Sequence, residues 1–233
     1  MLKITKITVQ GVEYDIQDSR VDDLIKRVEK LEKGGTSPST SITISSFKSS
    51  KSTTELGESG VTLSWVLDQA PTQLTITSTD SGFELDKAPE ITQSGSVYCT
   101  LSTNGGVRSV PITLSVTGAD GVSKSRTIYV AIQQRIYYGV AKTFNQEELN
   151  SKLASTCADT LTWEDAELDQ YVWYAYPVNF GECYFYGPIG EGGFEEPVVQ
   201  NLENTYGYTE NYYIYRSTRA GLYTNEVTVL RKE

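Results

Sequence analysis

The chain has 233 residues with a formal net charge of −10. That length holds two compact domains and a further element. It has no apolar run approaching 20 residues, which excludes insertion in a membrane by a helix. It also contains no histidine, which removes the commonest general base and the commonest transition-metal ligand. The charge is uneven: residues 1–138 carry 14 Lys+Arg against 15 Asp+Glu, whereas residues 139–233 carry 6 against 15. The resulting −9 of the C-terminal part would repel phosphates and anionic lipid, so nucleic acid is excluded as a partner.

From the N-terminus, Met1–Lys6 alternates like a strand and lacks the apolar core of a signal peptide, so synthesis in a cytoplasm is expected. Ile4–Ile16 reads as two short strands around Gln10-Gly11. Asp18–Lys33 reads as an amphipathic helix with Ser19 as N-cap and Asp22 three residues on. Val21, Leu24, Val28 and Leu31 follow coiled-coil a/d spacing. Valine at a and leucine at d favours two strands, while Ile25 at the following e position widens the stripe and suits a third. An isolated helix of about 15 residues is marginal in water. Its stripe therefore needs a cover, and Gly34-Gly35 with the polar run to Ser41 makes a linker rather than a docking turn. These positions are the expected oligomerisation seam.

Between Ser41 and about Gln134 the runs SITISSF, VTLSWVL, QLTITST, SVYCTLS, VPITLSVTG and SRTIYVAI are strand-like and separated by Gly-, Asn- and Asp-rich turns. This spacing predicts an antiparallel immunoglobulin-like sandwich with Trp65 in its core. Residues 136–233 hold 13 of the 16 tyrosines and two of the three tryptophans. A short helix is expected over Asn145–Ala154. Strands are expected at Thr160–Trp163, Gln170–Tyr176, Glu182–Tyr186, Glu196–Asn201, Tyr208–Ser217 and Asn225–Arg231. The fold class is thus mainly β, in three parts: a hairpin-and-helix element (1–35), the sandwich (36–135) and a Tyr-rich acidic β domain with one short helix (136–233).

Cys99, Cys157 and Cys183 are odd in number and lack CxxC spacing, and all three are expected as plain thiols, with a Cys157–Cys183 bridge as the lesser alternative. Glu164, Asp165, Glu167 and Asp169 form an acidic run that could supply a glycosidase pair, although its ordinary meaning is a solvated turn. No calcium-loop pattern accompanies it, so neither metal nor cofactor is expected. The tyrosines have two readings: core and subunit packing on both strand faces, or an exposed aromatic platform. The platform candidates are Trp163, Tyr171, Trp173, Tyr174, Tyr176, Tyr212, Tyr213 and Tyr215.

Three stretches resemble virion fibre and tail-associated proteins of tailed bacteriophages, especially those of gut Bacteroidetes. ITVQGVEYDIQDSRVDDLIKRVEKLE is similar to their N-terminal attachment and trimerisation element. ELGESGVTLSWVLDQAPTQLTI, running on to RIYYGVA, is similar to their Ig-like domain and the junction after it. DQYVWYAYPVNFGECYFY, GGF and ENYYIYRSTRAGL are similar to the terminal domain. The resemblance spans nearly the whole chain and includes no catalytic motif. It implies a homotrimeric head fibre, made in the host cytoplasm and anchored to other virion proteins through the N-terminal element. Adhesion to a host-surface glycan accompanies that expectation. The alternatives are a tail-fibre or baseplate-associated receptor-binding protein and, in a different class, a glycan-cleaving enzyme.

Overall fold

A computed structural model describes residues 6–15, 41–102, 105–162, 167–187, 190–221 and 226–232. The chain divides into Met1–Ser41 and Ile42–Glu233. In the first unit, β1 (Lys6–Val9) and β2 (Val12–Asp15) pair antiparallel with Val9 opposite Val12. Gln10 and Gly11 both take positive φ, 48° and 80°, as a two-residue hairpin turn that matches strand twist requires. The helix expected over 18–33, with Val21, Leu24, Ile25, Val28 and Leu31, lies outside the described residues, as does the polar linker after it.

In the second unit, β3 (Ile44–Ser49), β5 (Gly60–Leu67), β7 (Phe83–Leu85) and β8 (Ser94–Leu101) form a sheet in the order β3-β5-β8-β7. Facing it are β6 (Gln73–Ser78), β9 (Arg108–Thr117) and the first half of β10 (Ser123–Ala141). Strict alternation builds the core between them. In β5, Val61, Leu63, Trp65 and Leu67 are buried while Thr62, Ser64 and Val66 face outward. Ile112, Leu114, Val116 and Val130 of the opposing sheet join the same core. Trp65 donates its indole N–H to the Thr92 carbonyl at 3.1 Å. Gly95 lies opposite it, where a Cβ would stand 2.5 Å from the indole ring, so the ring occupies the space of the missing side chain. All six expected strands of this region are present. β7 and β4 (Thr53–Glu55) are additional, and at three residues each they are too short to show periodicity.

β10 decides the rest of the architecture. It runs 19 residues without a break, about 60 Å at roughly 3.3 Å per residue. Ser123–Ile132 pairs with β9, Ala131–Gln133 pairs in parallel with β4, and Gln134–Ala141 pairs with β11 (Asn150–Ala154) and β13 (Tyr171–Pro177). The expected division at 135/136 falls inside this strand. The sheet continues through β17 (Thr209–Arg216) to β16 (Val198–Glu203), giving the order β16-β17-β13-β10-β9-β6. A four-stranded sheet of β12 (Asp159–Thr162), β18 (Glu226–Arg231), β14 (Cys183–Gly187) and β15 (Gly190–Glu191) packs on the C-terminal half, in the order β12-β18-β14-β15.

The helix expected at Asn145–Ala154 is a correction: the segment is a turn followed by β11. Asn145 spends its side chain on the turn, accepting from the Glu147 N–H at 3.1 Å and donating to Glu148 Oε1 at 2.9 Å. A side chain that competes for backbone groups in this way disfavours helix. Residues 150–154 then gain a full set of ladder partners on β10, which outweighs a weak helical preference.

The C-terminal half of the long sheet is apolar on both faces. Ile136, Val172, Tyr174, Tyr176 and Tyr215 meet Leu161, Phe185, Val227 and Val229 of the smaller sheet. Tyr137, Ala175, Tyr212 and Ile214 point the other way and are covered by Leu149 and Phe144. Cys157 and Cys183 are disulfide-bonded in the first of these cores, which corrects the expectation of three thiols. The spacing alone does not force this pairing; the packing of the smaller sheet brings the two residues together. Cys99 is a free buried thiol whose pKa burial pushes up to about 11. The disulfide joins residues 26 apart in sequence, a loop for which chain entropy gives about 3.5 kcal/mol. Replacing both Cys157 and Cys183 by Ser should cost that much in urea unfolding. Loss of less than about 1 kcal/mol would show that aromatic packing alone holds the segment.

The two halves of the long sheet are joined by a buried ion pair. Glu55, only 3% exposed, receives Arg135 Nη2 at 2.6 Å and Nε at 3.1 and 3.2 Å. Asn204 donates to Glu55 Oε1 at 3.2 Å and to the Leu56 carbonyl at 2.6 Å. Its Oδ1 accepts from the N–H groups of Tyr206 and Tyr208, at 3.0 Å each. Gly57 (φ 96°) seats against Tyr208, where an added Cβ would stand 2.7 Å from the tyrosine Cβ. Glu55→Ala strands Arg135 and Asn204 together and should cost about 3 kcal/mol. Because β10 crosses the junction, Ile42–Glu233 should melt in one calorimetric transition. Two resolved transitions would contradict the continuity argued from this strand.

Candidate functional site

Among the described residues, no group of three or more His, Cys, Asp or Glu could hold a metal ion. Of the acidic run, Glu164 and Asp165 lie outside the described residues. Glu167 and Asp169 are exposed in a turn closed by the Gln170 N–H to the Glu167 carbonyl at 3.0 Å. Asp169 pairs with Lys142, which raises the lysine pKa.

The eight aromatic candidates separate sharply. Tyr174, Tyr176, Tyr212 and Tyr215 are buried, between 0% and 6% exposed, and form no platform. Their hydroxyls are satisfied internally. Tyr174 donates to the Cys157 carbonyl at 2.5 Å, Tyr212 donates to the Arg135 carbonyl at 2.9 Å, and Tyr176 and Tyr215 share a bond of 3.2 Å. Trp173 is half-buried against Phe144, with its indole N–H on the Ala141 carbonyl at 3.0 Å. The Arg216 guanidinium lies over the Tyr171 ring, 4.7 Å from the ring centroid, and also donates to the Glu195 carboxylate. Tyr213 is half-buried beside Tyr176, and Trp163 lies outside the described residues.

Burial drives the pKa values of Tyr174, Tyr176 and Tyr212 far above the ordinary phenol range. A group whose folded pKa is raised holds its proton more tightly folded than unfolded. Its contribution is therefore complete below the unfolded value of about 10 and falls as pH rises above it. Stability should decline from about pH 10 upward, and absorbance at 295 nm should show these tyrosines ionising only together with loss of tertiary structure. Smooth titration of all the tyrosines in a chain that stays folded would contradict the burial.

The open aromatic surface lies elsewhere. In β14, Cys183 and Phe185 turn inward while Tyr184 and Tyr186 turn outward, each 41% exposed. Across the ladder, Leu230 stands opposite Tyr184 and is 46% exposed, Thr228 stands opposite Tyr186, and Thr160 stands opposite Thr228. The Lys232 ammonium sits 5.1 Å from the Tyr184 ring centroid and bonds Glu182 at 2.8 Å, which raises its pKa. Sequence reasoning passed over this pair in favour of the denser runs at 171–176 and 212–215. The alternation in CYFY was the available signal, because a strand with two apolar inward positions exposes the residues between them. A second open feature is the edge strand β16, where Val198 and Val199 are 66% and 54% exposed.

Comparison with protein-family profiles, curated proteins and solved structures gives no match to this chain.

Proposed function

We propose that this protein is a non-catalytic structural component of a phage virion, a homotrimeric head fibre that displays a recognition surface toward the host. In this reading the segment 1–35 is the assembly and anchoring element, residues 36–135 are an Ig-like module, and residues 136–233 carry recognition. The observation that supports it is β10. One strand shared by two sheet stacks, pinned by the buried Glu55–Arg135 pair, gives a body with no hinge at the boundary where most tandem modules have one. A stiff body suits display, because a surface held at a fixed place loses little freedom on multivalent contact. The extensive internal use of aromatic side chains supports a structural role over a solvent-filled catalytic cleft. The junction niche lined by Glu55, Arg135, Asn204 and Glu210 has room for about one water molecule.

Light scattering tests the reading. The wild type should run as a trimer, and Leu24→Ser with Leu31→Ser should give monomers whose thermal transition for the 42–233 unit is unchanged. A monomeric wild type at micromolar concentration contradicts the fibre reading.

A further inference from the structure

We infer that the free edge of β16 is a docking site for an extended, basic segment of another polypeptide, which adds to the long sheet as a further strand. The inference goes beyond the proposed function and does not depend on it, since it names a different partner on a different element of the chain.

The ladder shows which backbone groups are open. The Asn204 N–H bonds the Tyr208 carbonyl at 2.9 Å, so in the antiparallel pair with β17 the bonded positions fall on Leu202, Gln200 and Val198. Val199, Asn201 and Glu203 therefore turn their N–H and C=O groups away from β17. The other side of β17 agrees with this parity. Pro177, which has no N–H, stands opposite Tyr212, whose backbone is engaged with Gln200. Two features bound the open stretch. Pro197 offers no N–H at one end, and Gln146 Nε2 donates to the Glu203 carbonyl at 3.0 Å at the other. Between them, no described residue bonds the outward groups of Val199 or Asn201. Residues 198–201 are exposed in succession, with Val198 at 66% and Val199 at 54% on opposite faces. An added strand takes up the open ladder groups and covers both valines at once.

Charge selects the occupant. Exposed edges are commonly blunted with basic residues. The side of β10 away from β9, which no described strand pairs over residues 123–129, is guarded in this way by Lys124 and Arg126. β16 has no such guard. Residues 190–215 hold five acidic side chains and no basic one, and Glu196 and Glu203 stand exposed at the two ends of the open stretch. The turn that supplies Gln146 adds Glu147 and Glu148. A second β16 laid antiparallel on the first would bring Glu203 of each copy beside Glu196 of the other, and like charges repel there. A segment with Lys or Arg at both ends and β-branched residues between them matches the edge in charge, length and hydrogen bonding. An edge of about five residues spans roughly 17 Å, a short contact of modest affinity.

The test titrates the full-length protein, by calorimetry, with an end-blocked peptide Lys-Val-Thr-Val-Thr-Val-Lys. Two comparisons are its Glu-ended counterpart and the Lys-ended peptide N-methylated at every inner residue, which removes the ladder donors. The Lys-ended peptide should bind in the micromolar-to-millimolar range, about tenfold or more tighter than the Glu-ended one, and more weakly at high salt. The N-methylated peptide should not bind. Val199→Pro removes one outward N–H without touching the ladder to β17, and should weaken binding about tenfold or more at an unchanged melting temperature. Ser125→Pro, its counterpart on the open side of β10, should leave binding intact. E196K/E203K should reverse the preference between the Lys-ended and Glu-ended peptides, and it decides the place if Val199→Pro does not fold. Absence of binding by the Lys-ended peptide at millimolar concentration overturns the inference. Equal binding of the N-methylated peptide, wild-type affinity in a folded Val199→Pro, or an unchanged preference in E196K/E203K does the same. Self-association of the chain that Val199→Pro abolishes also overturns it, because a second copy would then hold the edge.

Discussion

The structure of Ile42–Glu233 depends on satisfying the backbone of one long strand. Every N–H and C=O of β10 that leaves water needs a partner, and 19 residues are more than any single neighbour here can serve. β9 serves the first half, β11 and β13 serve the second, and β4 fills in beside Ala131–Gln133. The handover between these partners is where a long sheet would come apart. It is also where Glu55 and Arg135 lie, with Asn204 tying the loop after β16 to the residues after β4. A buried charge pair is a poor source of net stability, because desolvation offsets much of the attraction. Its effect is one of registration: only one alignment of the two halves pairs both charges.

The aromatic richness of the C-terminal half follows from the same strand. Once β10 carries the sheet into this half, β13 and β17 are covered on both faces and cannot alternate apolar with polar residues. Tyrosine suits such positions because its ring fills a wide space while its hydroxyl reaches a backbone carbonyl at the edge of the core. Tyr174 on Cys157 and Tyr212 on Arg135 both do this. Acidic side chains are left for the turns and outer faces, so the negative charge of residues 139–233 and their dense aromatic core are two sides of one arrangement.

That arrangement also separates packing rings from outward-facing ones. Tyr176 and Tyr215 stack at 5.8 Å inside the core and have nothing to offer a ligand. Tyr184 and Tyr186 are held outward by the inward anchoring of Cys183 and Phe185, and the disulfide to Cys157 fixes the start of their strand.

Much of the β framework was legible in the sequence. Strands such as VTLSWVL and QLTITS have one buried and one wet face, and that contrast is written residue by residue as alternation. The hairpin at Gln10-Gly11 was legible because a two-residue turn makes a local demand for positive φ. The helix expected at Asn145–Ala154 and the thiols expected at Cys157 and Cys183 were settled by distant partners, and so was the choice between core and platform for Tyr174, Tyr176, Tyr212 and Tyr215. β11 is a strand because β10 passes beside it, and the cysteines meet because β14 folds back over the sheet. Those tyrosines are core because both faces of their sheet are covered. Local pattern determined where the strands are and which way each residue points. Only the tertiary structure decided what lies on the far side of each face, because burial belongs to pairs of elements that the chain brings together from far apart.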